Sequence, residues 1–286
     1  MNNDKNNDLS QLDFLDEKTL INQMQSNIVK ANQTSPNKLI DERHSNESSY
    51  KKNCPEKILI LDTETTGIEV EDNSVIEIGC ILFHVPSKSE LSQLSFLLPV
   101  NSNKAFHVNG IPPEITNITQ PWEVALTYFN ELLSSSDIVI AHNVEFDKKW
   151  FGRGALPEIN LPWVCSMEDI NWRSIKPNIN QYPSVVNLAL NFNIPVWNIH
   201  RALSDCSYLS EVFKKSEVNL EELLSEAIKP KKLMKALVSY QNKDLAKEAG
   251  FRWNNPVKGA WSKKLTEEEL KNLSFEVVEV KDFLSN

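Results

Sequence analysis

The sequence predicts an α/β domain built on a mixed sheet flanked by helices, followed by a small α+β module. Three observations carry this reading. A continuous apolar run, Ile58 to Leu61, stops at Asp62, as in a strand covered on both faces. Counting that run, three strand-like segments come in succession before helices and strands alternate, the pattern of an α/β fold with a mixed sheet. Near Leu220 the texture changes to Lys-rich sequence with interleaved aromatics.

Taken in order, residues 1–57 are a polar leader: nine of the first fifty are Asn and Gly is absent. So few apolar groups cannot offset the ordering entropy, and most of this segment is expected to be disordered. Leu20, Met24 and Ile28 recur at i+4 and suggest a thin helical stripe, either a surface helix or a docking helix. The first strand spans Ile58 to Asp62, the second Ser74 to His84 and the third Leu91 to Val100. Pro121 to Leu133 reads as a helix, Ile138 to Ala141 as a strand and Asn143 to Phe151 as a helix. Trp163 to Cys165 is a short strand, and helices follow at Ser184 to Asn193 and Arg201 to Lys215. This bounds a first domain at 58–218. The remainder, 220–286, forms a second unit: Lys-rich helical sequence, a compact stretch GFRWNNPVKGAW, a helix start at Thr266 to Leu270 and a β-like tail from Phe275 to Val280. Its core candidates are Phe251, Trp253 and Trp261.

The 286 residues include 41% hydrophobic and 24% charged residues, ordinary for a globular chain. No apolar run reaches the roughly 18 to 20 residues that cross a bilayer, and the N-terminus lacks a signal-peptide core. Cys54, Cys80, Cys165 and Cys206 form no C-x-x-C pair, so a cytoplasmic, reducing location is expected with no membrane partner. The net charge of −9 disfavours a nucleic-acid partner on average. However, Lys229 to Lys264 holds ten basic residues against Asp244 and Glu248, a balance of 10 − 2 = +8, leaving −17 for the other 250 residues. That stretch, with Tyr240, Phe251, Trp253 and Trp261, offers either a phosphate and base contact surface or a solvated face around the module's own core.

Asp62 and Glu64, two apart in LDTETTG, fall on one face of an extended chain. Two such carboxylates repel unless a cation lies between them. Asp147 in AHNVEFD and Asp205 in HRALSD add two more, and four oxygen donors without a Cys/His cluster suit hard cations such as Mg²⁺ or Mn²⁺. Taken alone, each acid is most often a helix cap or a solvated surface group.

The segments ILILDTETTG, IVIAHNVEFDKKW and HRALSDC, in this order over about residues 58–215, resemble the three exonuclease motifs of the DnaQ-like family. These are DEDDh 3′-5′ exonucleases of the ribonuclease H-like superfamily, with four acidic residues and a histidine. The resemblance implies that Asp62, Glu64, Asp147 and Asp205 are metal ligands and His200 the general base. Two divalent ions about 3.5 to 4 Å apart stabilise the attacking and leaving oxygens of a displacement at phosphorus, and histidine is suited to take a proton near neutral pH. It further implies that Thr65, Phe106, His107 and Asn109 contact the 3′-terminal nucleotide, and that Asn143 supports the site. Phe146 is read as core and Cys206 as a buried small hydrophobe. Where many relatives carry Thr-Leu after the short strand, this chain has Cys165, Ser166 and Met167.

The function expected is a metal-dependent hydrolase releasing nucleoside monophosphates from the 3′ end of single-stranded DNA, in proofreading or repair-type trimming, with a polymerase or repair protein as partner. The alternatives are an exoribonuclease trimming RNA 3′ ends and a nuclease-dead module that binds polynucleotide ends. A binder has no need of all four acids and the histidine, which favours the enzyme.

Overall fold

The computed structural model describes residues 54–215 and 217–281. The expected stripe at Leu20, Met24 and Ile28 lies outside the described residues, as does nearly all of the leader.

A five-stranded sheet has the order β3-β2-β1-β4-β5. Its strands are β1 (Lys57–Thr65), β2 (Val75–His84), β3 (Ser89–Leu97), β4 (Ile138–Ala141) and β5 (Trp163–Cys165). β1, β2 and β3 pair antiparallel, whereas β4 and β5 run parallel to β1, so the sheet is mixed. Alternation along β1 divides its residues between two cores. Ile58 and Ile60 pack with Leu188 of α6 (Val185–Asn191) and with Cys206, Leu209 and Phe213 of α7 (Ala202–Lys214). Leu59 and Leu61 pack on the other face with Phe129 and Leu132 of α3 (Trp122–Ser134). The unbroken apolar run at the start of β1 follows from this double coverage. Short helices α1 (Phe106–Asn109), α2 (Pro113–Thr116), α4 (Val144–Lys148) and α5 (Trp172–Ile175) complete the layer.

β1 runs three residues beyond Asp62, because its pairing with β2 continues to Thr65 across an irregularity between Glu64 and Thr65. α4 is shorter than the expected Asn143 to Phe151; Trp150 leaves the helix and is buried among the residues of the α3 face.

After α8 (Leu220–Ala227), a four-stranded sheet of order β7-β8-β6-β9 forms from β6 (Lys232–Ala236), β7 (Arg252–Trp253), β8 (Trp261–Leu265) and β9 (Val277–Glu279). It carries α9 (Lys243–Glu248) and α10 (Glu267–Lys271), the latter started by a capping box between Thr266 and Glu269. The Lys-rich start from Leu220 was expected to be helical; Leu220–Ala227 and Lys243–Glu248 are helices, but Lys232–Ala236 between them is strand β6. Met234 and Ala236 are buried with Lys235 exposed between them, an alternation that suits a half-buried strand. Of the three aromatic core candidates, Phe251 is buried with Met234, Ala246 and Leu265. Trp253 is instead 56% exposed and stands tilted against Trp261 at 5.7 Å.

No helix among the described residues is long and apolar enough to cross a membrane.

Candidate active site

The parity that puts Ile58 and Ile60 against α7 also puts Asp62 and Glu64 on that face, at the end of β1. α7 reaches them because Gly79 of β2 opposes Asp62, and its missing side chain leaves room for the helix start. A Cβ there would lie 2.2 Å from the Leu203 backbone nitrogen. Asp205 therefore arrives one turn into α7 above β1. One ligand atom from each of Glu64, His200 and Asp205 lies within 4.8 Å of the others. Asp147, on α4, is 1% exposed and approaches Thr63, accepting from its backbone N–H at 3.0 Å and its hydroxyl at 2.8 Å. Asp62, Glu64, Asp147, His200 and Asp205 all line one cleft of about 460 Å³.

Burial and mutual repulsion shape this cluster. Desolvation, then the charges of Asp147 and Asp205, holds the Asp62 carboxyl well above the ordinary carboxylate range. Glu64 is raised to about 8 by burial and then by Asp205 and Glu77. Burial raises Asp147 to about 7, against the hydrogen bonds from Thr63, and raises Asp205 to about 6.

The residues expected around the terminal nucleotide divide. Thr65 lines the cleft, with its hydroxyl donating to the Gly67 carbonyl at 2.7 Å. From α1 it is Ala105, just before the helix, and Val108 that face the cleft; Phe106, His107 and Asn109 are not among its lining residues. Asn109 is 5% exposed and its amide is spent internally: Nδ2 donates to the Thr65 carbonyl at 3.0 Å, and Oδ1 accepts from Ile111 N–H and Asn103 Nδ2. It anchors the rim from within. Phe146, read as core, is half-buried and lines the cleft, as does Asn143 in the left-handed region at φ 78°. Cys206 is buried, with its thiol toward the Gly79 carbonyl at 3.3 Å.

A family model described as Exonuclease matches residues 59–213, just over half of the chain. The chain belongs to the Exonuclease family. It is a DnaQ-like 3′-5′ exonuclease with the ribonuclease H-like fold. A second model, Domain of unknown function (DUF8626), matches residues 232–280 of the C-terminal module. Among curated relatives, the DNA polymerase III subunit epsilon of Treponema pallidum is 27% identical over 172 residues, 54% of this chain and 73% of that protein. The subunit of the same name from Aquifex aeolicus is 28% identical over 174 residues, 58% and 81% of the two chains. A solved structure of exonuclease X in complex with 5′ overhanging duplex DNA aligns at 24% identity and a TM-score of 0.44, covering 59% of this chain and 99% of that one.

DEDDh exonucleases use divalent metal ions, and this exonuclease has the donors to hold them. Asp205 Oδ1 is buried with no hydrogen-bond partner among the described residues, and the four raised carboxyls are a charge deficit that a cation would relieve. Two supports of the exonuclease site were not read from sequence. Glu77, 1% exposed, holds the Arg201 guanidinium through both oxygens at 2.9 and 2.7 Å and accepts from Ala202 N–H at 3.1 Å. It thus pins the chain beside His200, whose backbone has φ 58°. Its only sequence signal is a charged residue within the apolar run VIEIGC. The second is His142, which bridges Ser166 Oγ at 2.8 Å and the Pro183 carbonyl at 2.9 Å; burial lowers it to about 4, so it serves as a neutral strut. The unusual Ser166 is thereby given a role.

Proposed function

We propose that this exonuclease removes nucleoside monophosphates from the 3′ end of single-stranded DNA using two Mg²⁺ or Mn²⁺ ions. The observation that carries the reading is the convergence of Asp62, Glu64, Asp147, His200 and Asp205 on one cleft. In this reading the four carboxylates hold the metals, which supply electrophilic stabilisation of the phosphodiester oxygens when bound. His200, exposed at the cleft mouth, takes the proton of the attacking water. Glu77 and Arg201 keep that imidazole over the carboxylates. Thr65, Ala105, Val108 and Phe146 offer the surface for the terminal sugar and base.

DNA is favoured over RNA because the two relatives described above are subunits of a DNA polymerase. The same names support a replicative polymerase as partner and a cytoplasmic location. The catalytic domain is assigned to residues 58–218 and the accessory module to 220–286. End-labelled DNA and RNA oligonucleotides of matched sequence, incubated with Mg²⁺, Mn²⁺ or EDTA, test all of this. The expected result is metal-dependent release of mononucleotides from the DNA 3′ end; faster trimming of the RNA would transfer the reading to an exoribonuclease.

A further inference from the structure

The basic residues of the C-terminal module are largely committed to acids. Lys231 pairs with Asp169 at 3.1 Å, Arg252 with Glu168 and Lys264 with Glu145 at 2.7 Å, all three acids belonging to the catalytic domain. Lys229, Lys232 and Lys263 pair with Glu226, Glu268, Glu267 and Glu269. The Lys231 and Arg252 pairs are the sheltered ones, with side-chain exposures of 13% and 16% and of 26% and 17%. Lys264 and Glu145 are well exposed and count for less.

These contacts fall on segments that adjoin, in sequence, the cleft residues His142, Asn143, Phe146 and Ser184. Glu168 and Asp169 follow Ser166 by two and three positions, and Asp169 also accepts from Cys165 N–H at 2.8 Å. At the other end of the His142 strut, Tyr182 precedes Pro183; its hydroxyl donates to the Gly250 carbonyl, and the Arg252 guanidinium lies 4.7 Å over its ring. Gly250 supplies the left-handed backbone, φ 86°, at this approach. Glu145 lies on α4 between the cleft residues Asn143 and Phe146. The module thus holds both segments that His142 joins, and the helix that carries Asp147.

We propose that the module is an intramolecular brace: its basic surface recognises the acidic loops of the catalytic domain and fixes the Asn143, Phe146 and Ser184 wall of the cleft. This rests on the cleft being the place of hydrolysis. The ligand inferred for its sheltered cations is the catalytic domain rather than a long strand: Lys231 and Arg252 are turned to Asp169 and Glu168, whereas Lys229 and Lys232 pair only with exposed acids and count for little.

The test uses the full chain with Arg252→Glu, Glu168→Arg, the double swap and Tyr182→Phe. Two readouts are taken: kcat on a DNA oligonucleotide too short to reach the module, and amide hydrogen exchange over residues 142–148 and 181–185. Arg252→Glu is expected to lower the short-substrate kcat about tenfold, as misplacement of a cleft wall does, and to speed exchange in both segments. The swap is expected to restore both, and Tyr182→Phe to move them in the same direction by less. Should Arg252→Glu fail to fold, the swap and Tyr182→Phe decide. The proposal falls if the swap folds without restoring either readout, or if exchange and short-substrate kcat are unchanged while KM for a long strand rises. Exchange is read without turnover, so an active Asp62→Ala enzyme would overturn the cleft assignment and leave the brace standing.

Discussion

Four carboxyl groups crowd the end of β1, and Glu64, Asp147 and Asp205 reach about 8, 7 and 6. Raised folded-state values mean that the folded chain binds more protons than the unfolded one between about pH 4 and 8. In EDTA the melting temperature is therefore expected to fall as pH rises through that window. Added Mg²⁺ should raise it more at pH 8 than at pH 5, where the groups are largely neutral. Equal gains at both pH values, read by thermal melts, would refute this. Glu64→Gln is expected to stabilise the metal-free chain at pH 8 for the same reason. Asp62→Ala removes one of the proposed metal ligands and is expected to cut turnover by about two or more orders of magnitude while the circular dichroism spectrum persists. Glu77→Gln tests the support rather than the chemistry. Losing the two-point grip on Arg201 lets the His200 backbone relax, so kcat is expected to fall about 10- to 100-fold with KM little changed. A proportional rise in KM would instead point to a binding role.

Between elements, the decisive contact is that of α7 on β2. The helix starts against the bare backbone of Gly79, and its first turn then delivers Asp205 to Glu64. Gly79→Ala places a methyl group on main-chain atoms that cannot rotate away, so overpacking of about 1 to 3 kcal/mol is expected. Melting temperature and activity should fall together, because displacing α7 lifts Asp205 and His200 at once. Retention of full activity with a lowered melting temperature would show that the site tolerates a shifted α7. The same element logic explains β6: its lysines suggested a helix, yet Met234 and Ala236 alternate inward, and pairing with β8 and β9 satisfies the backbone.

For the whole molecule, the cleft is lined from β1, α4, the start of α1, the Ser184 segment and α7, which makes a pocket suited to a chain end. A circular single strand is expected to resist while a linear strand loses a 3′ label first as mononucleotide; rapid cutting of the circle, followed on a denaturing gel, would indicate endonuclease action. The sequence by itself determined the mixed α/β order, the double-faced run at Ile58 to Leu61 and the chemical types of Asp62, Glu64, Asp147, His200 and Asp205. Each is written in local alternation, helical spacing or motif, which depend on backbone geometry within a few residues. Only the tertiary structure decided which of these groups meet. Glu77 grips Arg201 across 124 positions, and Lys264 reaches Glu145 across 119. It also turned Asn109 inward to the Thr65 carbonyl, placed Phe146 in the cleft and Trp253 on the surface, and joined Ser166 to Pro183 through His142. Such contacts depend on how packed elements approach one another, and distance along the chain carries no local signature of that approach.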